Sequence, residues 1–135
     1  MLRSGLVSIT FKKLSPREIV DLVARAGLEG IEWGGDVHVP HEDADLAREV
    51  RRMTEDAGLA VASFGSYYRV GHEEPVPFDR VLKTAVALGA PTIRVWAGKL
   101  GSADADAAYR GQVVRECRRM AAMASGMCVS QEVMM

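Results

Sequence analysis

The segment Gly30-Ile31-Glu32-Trp33-Gly34-Gly35 follows a helical pattern that ends at Ala26-Gly27, and this arrangement recurs along the chain. Apolar runs follow Gly58, Gly89 and Gly126 in the same way, and successive glycines of this series lie 31, 31 and 37 residues apart. A period near 30 residues is the length of one βαβ unit. Glycine suits each junction because helices commonly end with one residue in the left-handed region. The repeat therefore predicts a parallel α/β fold.

Five short apolar runs are predicted to be strands: Leu6–Phe11, Gly30–Trp33, Leu59–Phe64, Thr92–Trp96 and Met127–Glu132. Four helical patterns alternate with them, after a capping box at Ser15, after an N-cap at Asp43, from near Pro77, and from about Asp104 to Ala124. Strict alternation with short connections predicts parallel strands joined by right-handed crossovers.

Two architectures satisfy this alternation, a (β/α)8 barrel and an open doubly wound sheet. Side chains alternate along a strand, so Ile93 and Val95 share one face while Thr92, Arg94 and Trp96 share the other. One apolar and one polar face favours a barrel, and neither phosphate-binding motif, GxGxxG or GxxxxGK[ST], occurs. A complete barrel needs about 250 residues. The sequence therefore predicts a single partial barrel over 1–135, with strands 1–5 and helices 1–4 present and the C-terminal half missing.

Composition limits the classes of function. Of the 135 residues, 48% are hydrophobic and 26% charged, and the net charge is −1. No basic stripe for nucleic acid, no apolar window long enough for a membrane span and no signal peptide is apparent in the sequence. Cys117 and Cys128 do not form a CxxC pair, which favours a reduced, cytoplasmic location.

Chemistry in such a barrel is expected where the strands end, because their C-terminal ends and the following loops form the site. Glu32, Trp33, Arg94 and Trp96 lie there and suit a polyhydroxylated small molecule. A structural ion pair is an equal alternative for Glu32 and Arg94, since buried charges must be paired. The two tryptophans either form a wall under a sugar ring or simply pack the barrel mouth.

Two loop histidines are further candidates for substrate contact. His38 lies in the loop 34–43 among Asp36, His41 and Glu42, which are plausible metal-ligand types in a spacing that matches no established signature. His72 follows the third strand. The alternative for both histidines is an ordinary solvated loop position.

Three segments carry a family resemblance: Gly30–Pro40, Ile93–Gly98 and Ser130–Glu132. The chain resembles the xylose isomerase-like TIM-barrel superfamily, and within it the sugar phosphate isomerase/epimerase group. The resemblance implies a divalent metal (Mn²⁺, Mg²⁺, Co²⁺ or Zn²⁺) that assists proton transfer next to a carbonyl of a sugar or sugar phosphate. It also implies that Glu132 is both a metal ligand and a catalytic base. In the family the other metal ligands lie on strands six to eight, so this chain alone is expected to lack a complete active site and to be inactive. The resemblance also leaves open that the chain holds no metal.

Two other functions are kept open. A partial barrel with open edge strands is suited to act as a non-catalytic binding or assembly module, including a homo-oligomer. A DNA-repair fragment related to endonuclease IV is a third candidate, opposed by the nearly neutral charge and the absence of a basic loop from the sequence.

Overall fold

The computed structural model describes residues 1–127 and the backbone of the strand at 130–134. The strands are β1 (Gly5–Val7), β2 (Gly30–Gly34), β3 (Ala60–Arg69), β4 (Thr92–Trp96) and β5 (Ser130–Met134). They alternate with the helices α1 (Pro16–Arg25), α2 (Ala44–Asp56), α3 (Phe78–Leu88) and α4 (Ala107–Ser125). A short 3-10 helix, Ser8–Phe11, follows β1.

The sheet order decides between the two predicted architectures. All five strands are parallel, and each pairs with the next in sequence, in the order β1-β2-β3-β4-β5. An open doubly wound sheet reverses its strand order at a switch point, and this sheet does not. The strands and helices therefore form part of a (β/α)8 barrel, as the alternation and the strand faces predicted.

The predicted helix starts are confirmed in atomic detail at two helices. Ser15 and Glu18 form a reciprocal capping box, with Pro16 at the first position of α1. The Asp43 side chain accepts a hydrogen bond from the Leu46 N–H at the start of α2. Both caps satisfy backbone donors that have no partner inside the helix.

Three of the four predicted glycine junctions adopt the left-handed backbone. Gly27, Gly58 and Gly89 have φ of 74°, 74° and 71°. The prediction is wrong for Gly126, where φ is −65° and the helical conformation continues through the C-cap.

The first strand is shorter than predicted. It ends at Val7, and the predicted strand residues Ser8–Phe11 form the 3-10 helix instead. The reason is a tertiary contact: the buried Ser8 hydroxyl accepts a hydrogen bond from the Gly34 N–H at 2.9 Å. This bond holds Ser8 at the end of β2, where the chain leaves the sheet.

Other boundaries also move. The fifth strand spans Ser130–Met134, whereas Met127–Glu132 was predicted, and residues 128 and 129 of that range lie outside the described part of the chain. The third strand extends to Arg69, five residues beyond the predicted end at Phe64. The fourth helix begins at Ala107, because Asp106 rather than Asp104 accepts the capping hydrogen bond.

The hydrophobic core lies between the outer face of the sheet and the helices. Strand residues on this face, including Ile31, Phe64, Ile93 and Val95, are fully buried. Burial of such side chains contributes about 1.5–3 kcal/mol each, so this layer holds the helices against the sheet. Among the described residues, no helix combines the length and the apolar character that a membrane crossing requires.

Candidate functional site

The inner face of the sheet carries an ion pair that spans three strands. Arg94 on β4 donates a hydrogen bond from Nε to Oε1 of Glu32 on β2 at 2.8 Å, and its Nη2 lies 2.8 Å from the same oxygen in the ion pair. The other carboxylate oxygen of Glu32 accepts a hydrogen bond from the Ser63 hydroxyl at 2.6 Å. The two charged side chains are only 11% and 15% exposed. The Glu32–Arg94 pair is therefore a shielded and well-satisfied feature of the lumen.

The pair can form because β3, the strand between its partners, has a glycine where the side chains cross. A Cβ on Gly65 would lie 2.6 Å from Arg94 Nη2 and 2.9 Å from Glu32 Oε1. Real Cβ contacts are not this short, so any side chain at this position would displace the pair. A glycine inside a strand often marks a close approach of this kind. Gly65 is therefore a site residue that was not predicted, although its position within a strand was a signal for it in the sequence.

Aromatic rings border the guanidinium of Arg94. Its central carbon lies 5.2 Å from the Tyr67 ring centroid and 6.0 Å from the Trp96 ring centroid. Burial disfavours the charged form of Arg94, but the hydrogen bond and the negative charge of Glu32, with a smaller contribution from Tyr67, outweigh that effect. The pKa of Arg94 is therefore raised, and the group is a permanent cation.

Tyr67 reaches this position through an unusual backbone. Its φ is 59°, in the left-handed region that a bulky residue seldom adopts, at a cost on the order of 1 kcal/mol. Ser66 supports the turn: its hydroxyl donates to the Arg94 carbonyl at 2.7 Å and accepts the Tyr68 N–H at 3.3 Å. The structure thus adds Tyr67 to the site, which the sequence analysis did not select.

Trp33 lies on the opposite face of the sheet from the pair. Its side chain is fully buried, and its indole N–H donates to the Thr54 hydroxyl on α2 at 3.2 Å. Glu32 and Trp33 are adjacent in β2, so the alternation that directs Glu32 inward directs Trp33 to the helix layer. Of the two tryptophans proposed as a wall, only Trp96 lies beside the pair.

Both ring nitrogens of His38 are bonded within the protein, and the residue is 3% exposed. Nε2 lies 3.0 Å from the Leu14 carbonyl and therefore donates to it. Nδ1 lies 3.0 Å from the Ser8 hydroxyl, which also accepts the Gly34 N–H. This network joins the first two loops at the barrel mouth, so His38 is placed as a support rather than in contact with the lumen.

His72 also contacts another loop at the mouth. Its Nε2 lies 2.9 Å from the Tyr109 hydroxyl, which accepts the N–H groups of Lys99 and Leu100 at 2.6 and 3.1 Å. An oxygen that accepts two N–H groups has its own proton to donate, and His72 Nε2 is the acceptor that faces it. Tyr109, on the first turn of α4, therefore connects two loops: it bonds to Lys99 and Leu100 in the β4–α4 loop and to His72 in the β3–α3 loop.

A third histidine, His41, predicted from the sequence only as a plausible metal-ligand type, also lies at the barrel mouth. Within residues 1–127, no hydrogen-bond partner reaches its buried Nε2, nor the buried Oε1 of Glu74. Its ring packs edge-on against Phe64, with centroids 5.8 Å apart. Burial lowers the pKa of His41, against smaller opposing effects of the Ser66 backbone and Glu74.

The predicted metal ligand and base, Glu132, lies on β5 in register with Arg94. Its side chain lies outside the described residues. Among the side chains that are described, no group of three or more His, Cys, Asp and Glu is arranged to hold a metal ion. Within residues 1–127, the candidate ligands of the loop 34–43 are therefore not gathered around one point, and the described side chains do not fit a complete catalytic metal centre.

Five parallel strands alternating with helices, with the polar pair on the inner face of the sheet, place this chain in the class of (β/α)8-type barrels. The model of the xylose isomerase-like TIM barrel family matches residues 20–133, and the chain belongs to that family. No curated protein matches the sequence significantly.

Solved structures of this type share the fold with the chain. The probable 3-DHS dehydratase AsbF of Bacillus anthracis, involved in petrobactin synthesis, superposes with a TM-score of 0.78 at 19% identity, over 98% of this chain and 52% of that protein. A putative xylose isomerase from Rhodospirillum rubrum gives a TM-score of 0.75 at 23% identity, with coverage of 98% and 54%. A xylose isomerase domain protein from Salmonella typhimurium gives 0.75 at 19% identity, with coverage of 97% and 48%. The chain thus spans about half the length of these structures.

Proposed function

We propose that this chain forms the first half of the barrel of a sugar or sugar-phosphate isomerase or epimerase, and that it supplies one wall of the substrate site. The single observation that carries the proposal is the Glu32–Arg94 pair, held across β3 over Gly65 and bordered by Tyr67 and Trp96. Charged donors and acceptors beside aromatic rings suit a ligand with hydroxyl groups and an apolar ring face.

Within this proposal, the chain's own residues bind and orient the substrate. A divalent metal would supply polarisation of a carbonyl and its neighbouring hydroxyl in a complete barrel. Glu132 is proposed as one of its ligands and as the base for proton transfer. The described residues do not complete that site, so we assign no chemical step to this chain alone and propose that it is inactive without the second half of a barrel. A cytoplasmic location is part of the same proposal and rests on the cysteine pattern.

The proposed wall is testable by NMR, because the chain contains two tryptophans on opposite faces of the sheet. Titration with D-xylose or D-fructose at millimolar concentrations is expected to shift the indole N–H signal of Trp96. The signal of Trp33, bonded to Thr54 in the helix layer, is expected to stay in place. Arg94→Met should abolish the response. Arg119→Met is the matched control, since Arg119 pairs with Glu116 on the outer helix α4.

Two results would contradict the proposal. One is the absence of any Trp96 shift, and the other is an equal response of Trp33 and Trp96. The metal assignment has a separate test, since Mn²⁺ broadens the NMR signals of nearby nuclei. Broadening should centre on residues 131–133 and disappear in Glu132→Gln; broadening elsewhere would remove Glu132 as a ligand.

A second candidate function is a binding or assembly module, and the sheet edges favour it. β1 and β5 are the terminal strands of the sheet, and strand edges of this kind pair readily with another chain. Analytical ultracentrifugation distinguishes this function: one defined oligomer supports it, and a monomer or a polydisperse aggregate contradicts it.

A further inference from the structure

We infer that the Glu32–Arg94 pair makes this wall selective for uncharged, hydroxyl-bearing ligands, and that Glu32 is the residue that determines the selectivity. The inference rests on the proposed function and deepens it, because it specifies the charge of the ligand group that meets β2, β3 and β4. Three properties of the pair support it: its charge balance, its donor and acceptor groups, and the contacts that hold it in place.

The two charges of the pair balance each other. Arg94 is a permanent cation in a shielded position, and such a group alone would attract carboxylates and phosphates. Glu32 directs one oxygen at both Nε and Nη2, so the cation is matched by one carboxylate at hydrogen-bond distance. An anionic ligand group at Arg94 would therefore also meet the negative charge of Glu32.

The hydrogen-bonding groups point to the same ligand chemistry. The carboxylate of Glu32 offers acceptors, and the guanidinium of Arg94 offers donors beside them. A hydroxyl group both donates and accepts, so neighbouring hydroxyls on a sugar or polyol can form additional hydrogen bonds to both partners of the pair. A carboxylate or phosphate only accepts, and its oxygens would face the oxygens of Glu32 without a proton between them.

The way the pair is held makes this arrangement a fixed property of the wall. Ser63 binds the second oxygen of Glu32, Gly65 leaves the space in which the side chains cross, and the Tyr67 ring lies over the guanidinium. Glu32 therefore cannot easily move aside to release Arg94 to an anion.

The experiment compares two ligands that differ at one carbon, xylitol and D-xylonate, in which a terminal CH₂OH is replaced by a carboxylate. Each is titrated into the full 135-residue chain, and the Trp96 indole signal reports binding while the Trp33 signal reports an intact fold. Xylitol is expected to bind the parent chain at least as tightly as D-xylonate. In Glu32→Gln the uncompensated Arg94 should favour D-xylonate by about tenfold relative to the parent ratio, the size of one charge interaction at a partly shielded site.

Two variants keep the inference testable if Glu32→Gln perturbs the fold. Gly65→Ala retains both charges but separates them, and it should shift the ratio towards D-xylonate in the same direction. Glu116→Gln is the matched control, because it removes one carboxylate charge from the outer helix α4, where Glu116 pairs with Arg119, and should leave the ratio close to that of the parent.

The outcomes separate the selectivity from the sugar site itself. Tighter binding of D-xylonate than of xylitol by the parent chain overturns the selectivity and leaves the proposed sugar site standing. An unchanged ratio in both Glu32→Gln and Gly65→Ala overturns the role of Glu32. If neither ligand shifts the Trp96 signal at millimolar concentrations, the selectivity and the proposed function both fail.

Discussion

Replacement of Gly65 by alanine is a direct test of how the lumen of this barrel is built. The new Cβ would lie 2.6 Å from Arg94 Nη2 and 2.9 Å from Glu32 Oε1. Both atoms belong to side chains and not to the backbone, so we expect the new Cβ to force the ion pair apart while the strand stays in place. The variant should therefore fold, but with a reduced free energy of unfolding.

The magnitude follows from two opposing contributions. Hydrogen bonds to charged groups contribute about 1.5–3 kcal/mol, and separating this shielded pair forfeits much of that amount. Against this, a change from glycine to alanine restricts the conformations of the unfolded chain, and this raises the free energy of unfolding by about 0.4–1 kcal/mol. The expected net loss is therefore about 1–2 kcal/mol, measured by urea denaturation monitored by tryptophan fluorescence.

Two comparisons make the test specific. Gly111 lies inside α4, and a Cβ at this position would lie 3.4 Å from its nearest neighbour, Arg115 Nη1. Gly111→Ala should therefore stabilise the chain by about 0.5–1 kcal/mol. In an Arg94→Leu background the main obstacle is gone, and Gly65→Ala should cost markedly less than in the parent. An equal loss in both backgrounds, or no loss in the parent, would refute the reasoning.

Two further predictions concern the loops at the barrel mouth. Tyr109→Phe removes the hydroxyl that accepts the N–H groups of Lys99 and Leu100, so hydrogen exchange of these two amides should accelerate and their protection should fall by about 1–3 kcal/mol. The Val70 amide, which is bonded to the Trp96 carbonyl, should remain protected as the control. Unchanged exchange at residues 99 and 100 would contradict this prediction. His41 has a lowered pKa in the folded state, so below the ordinary histidine value of about 6.5 the unfolded chain binds more protons and stability falls as pH falls. Urea denaturation between about pH 7.5 and 5 should therefore show a shallower decline in His41→Phe than in the parent, and equal slopes would rule out a contribution of His41.

Much of the fold was predictable because its determinants are local in sequence. The capping box of Ser15 and Glu18 spans three residues, and the left-handed glycines at 27, 58 and 89 end helices that read clearly from their own periodicity. The alternation of residues in β4 placed Arg94 opposite Val95, and this indicated a polar inner face. Such features depend on backbone geometry within one element, which the sequence specifies directly.

What the sequence did not predict lies where a side chain from another element decides the local structure. Ser8 ends the first strand because its hydroxyl bonds to Gly34, 26 residues away. For His38, a predicted candidate for substrate contact, the sequence did not indicate that its ring nitrogens are bonded to Ser8 and to the Leu14 carbonyl. Neither partner can be inferred from the residues around His38.

The sequence by itself determined the parallel α/β architecture, the helix caps and the candidate charges at the strand ends. Only the tertiary structure decided which of these side chains meet. Arg94 and Glu32 are 62 positions apart, and their contact depends on the order of three strands and on the missing side chain of Gly65 between them. Local sequence fixes the direction in which a side chain leaves its strand, whereas its partner depends on how the strands align, and that alignment exists only in the assembled sheet.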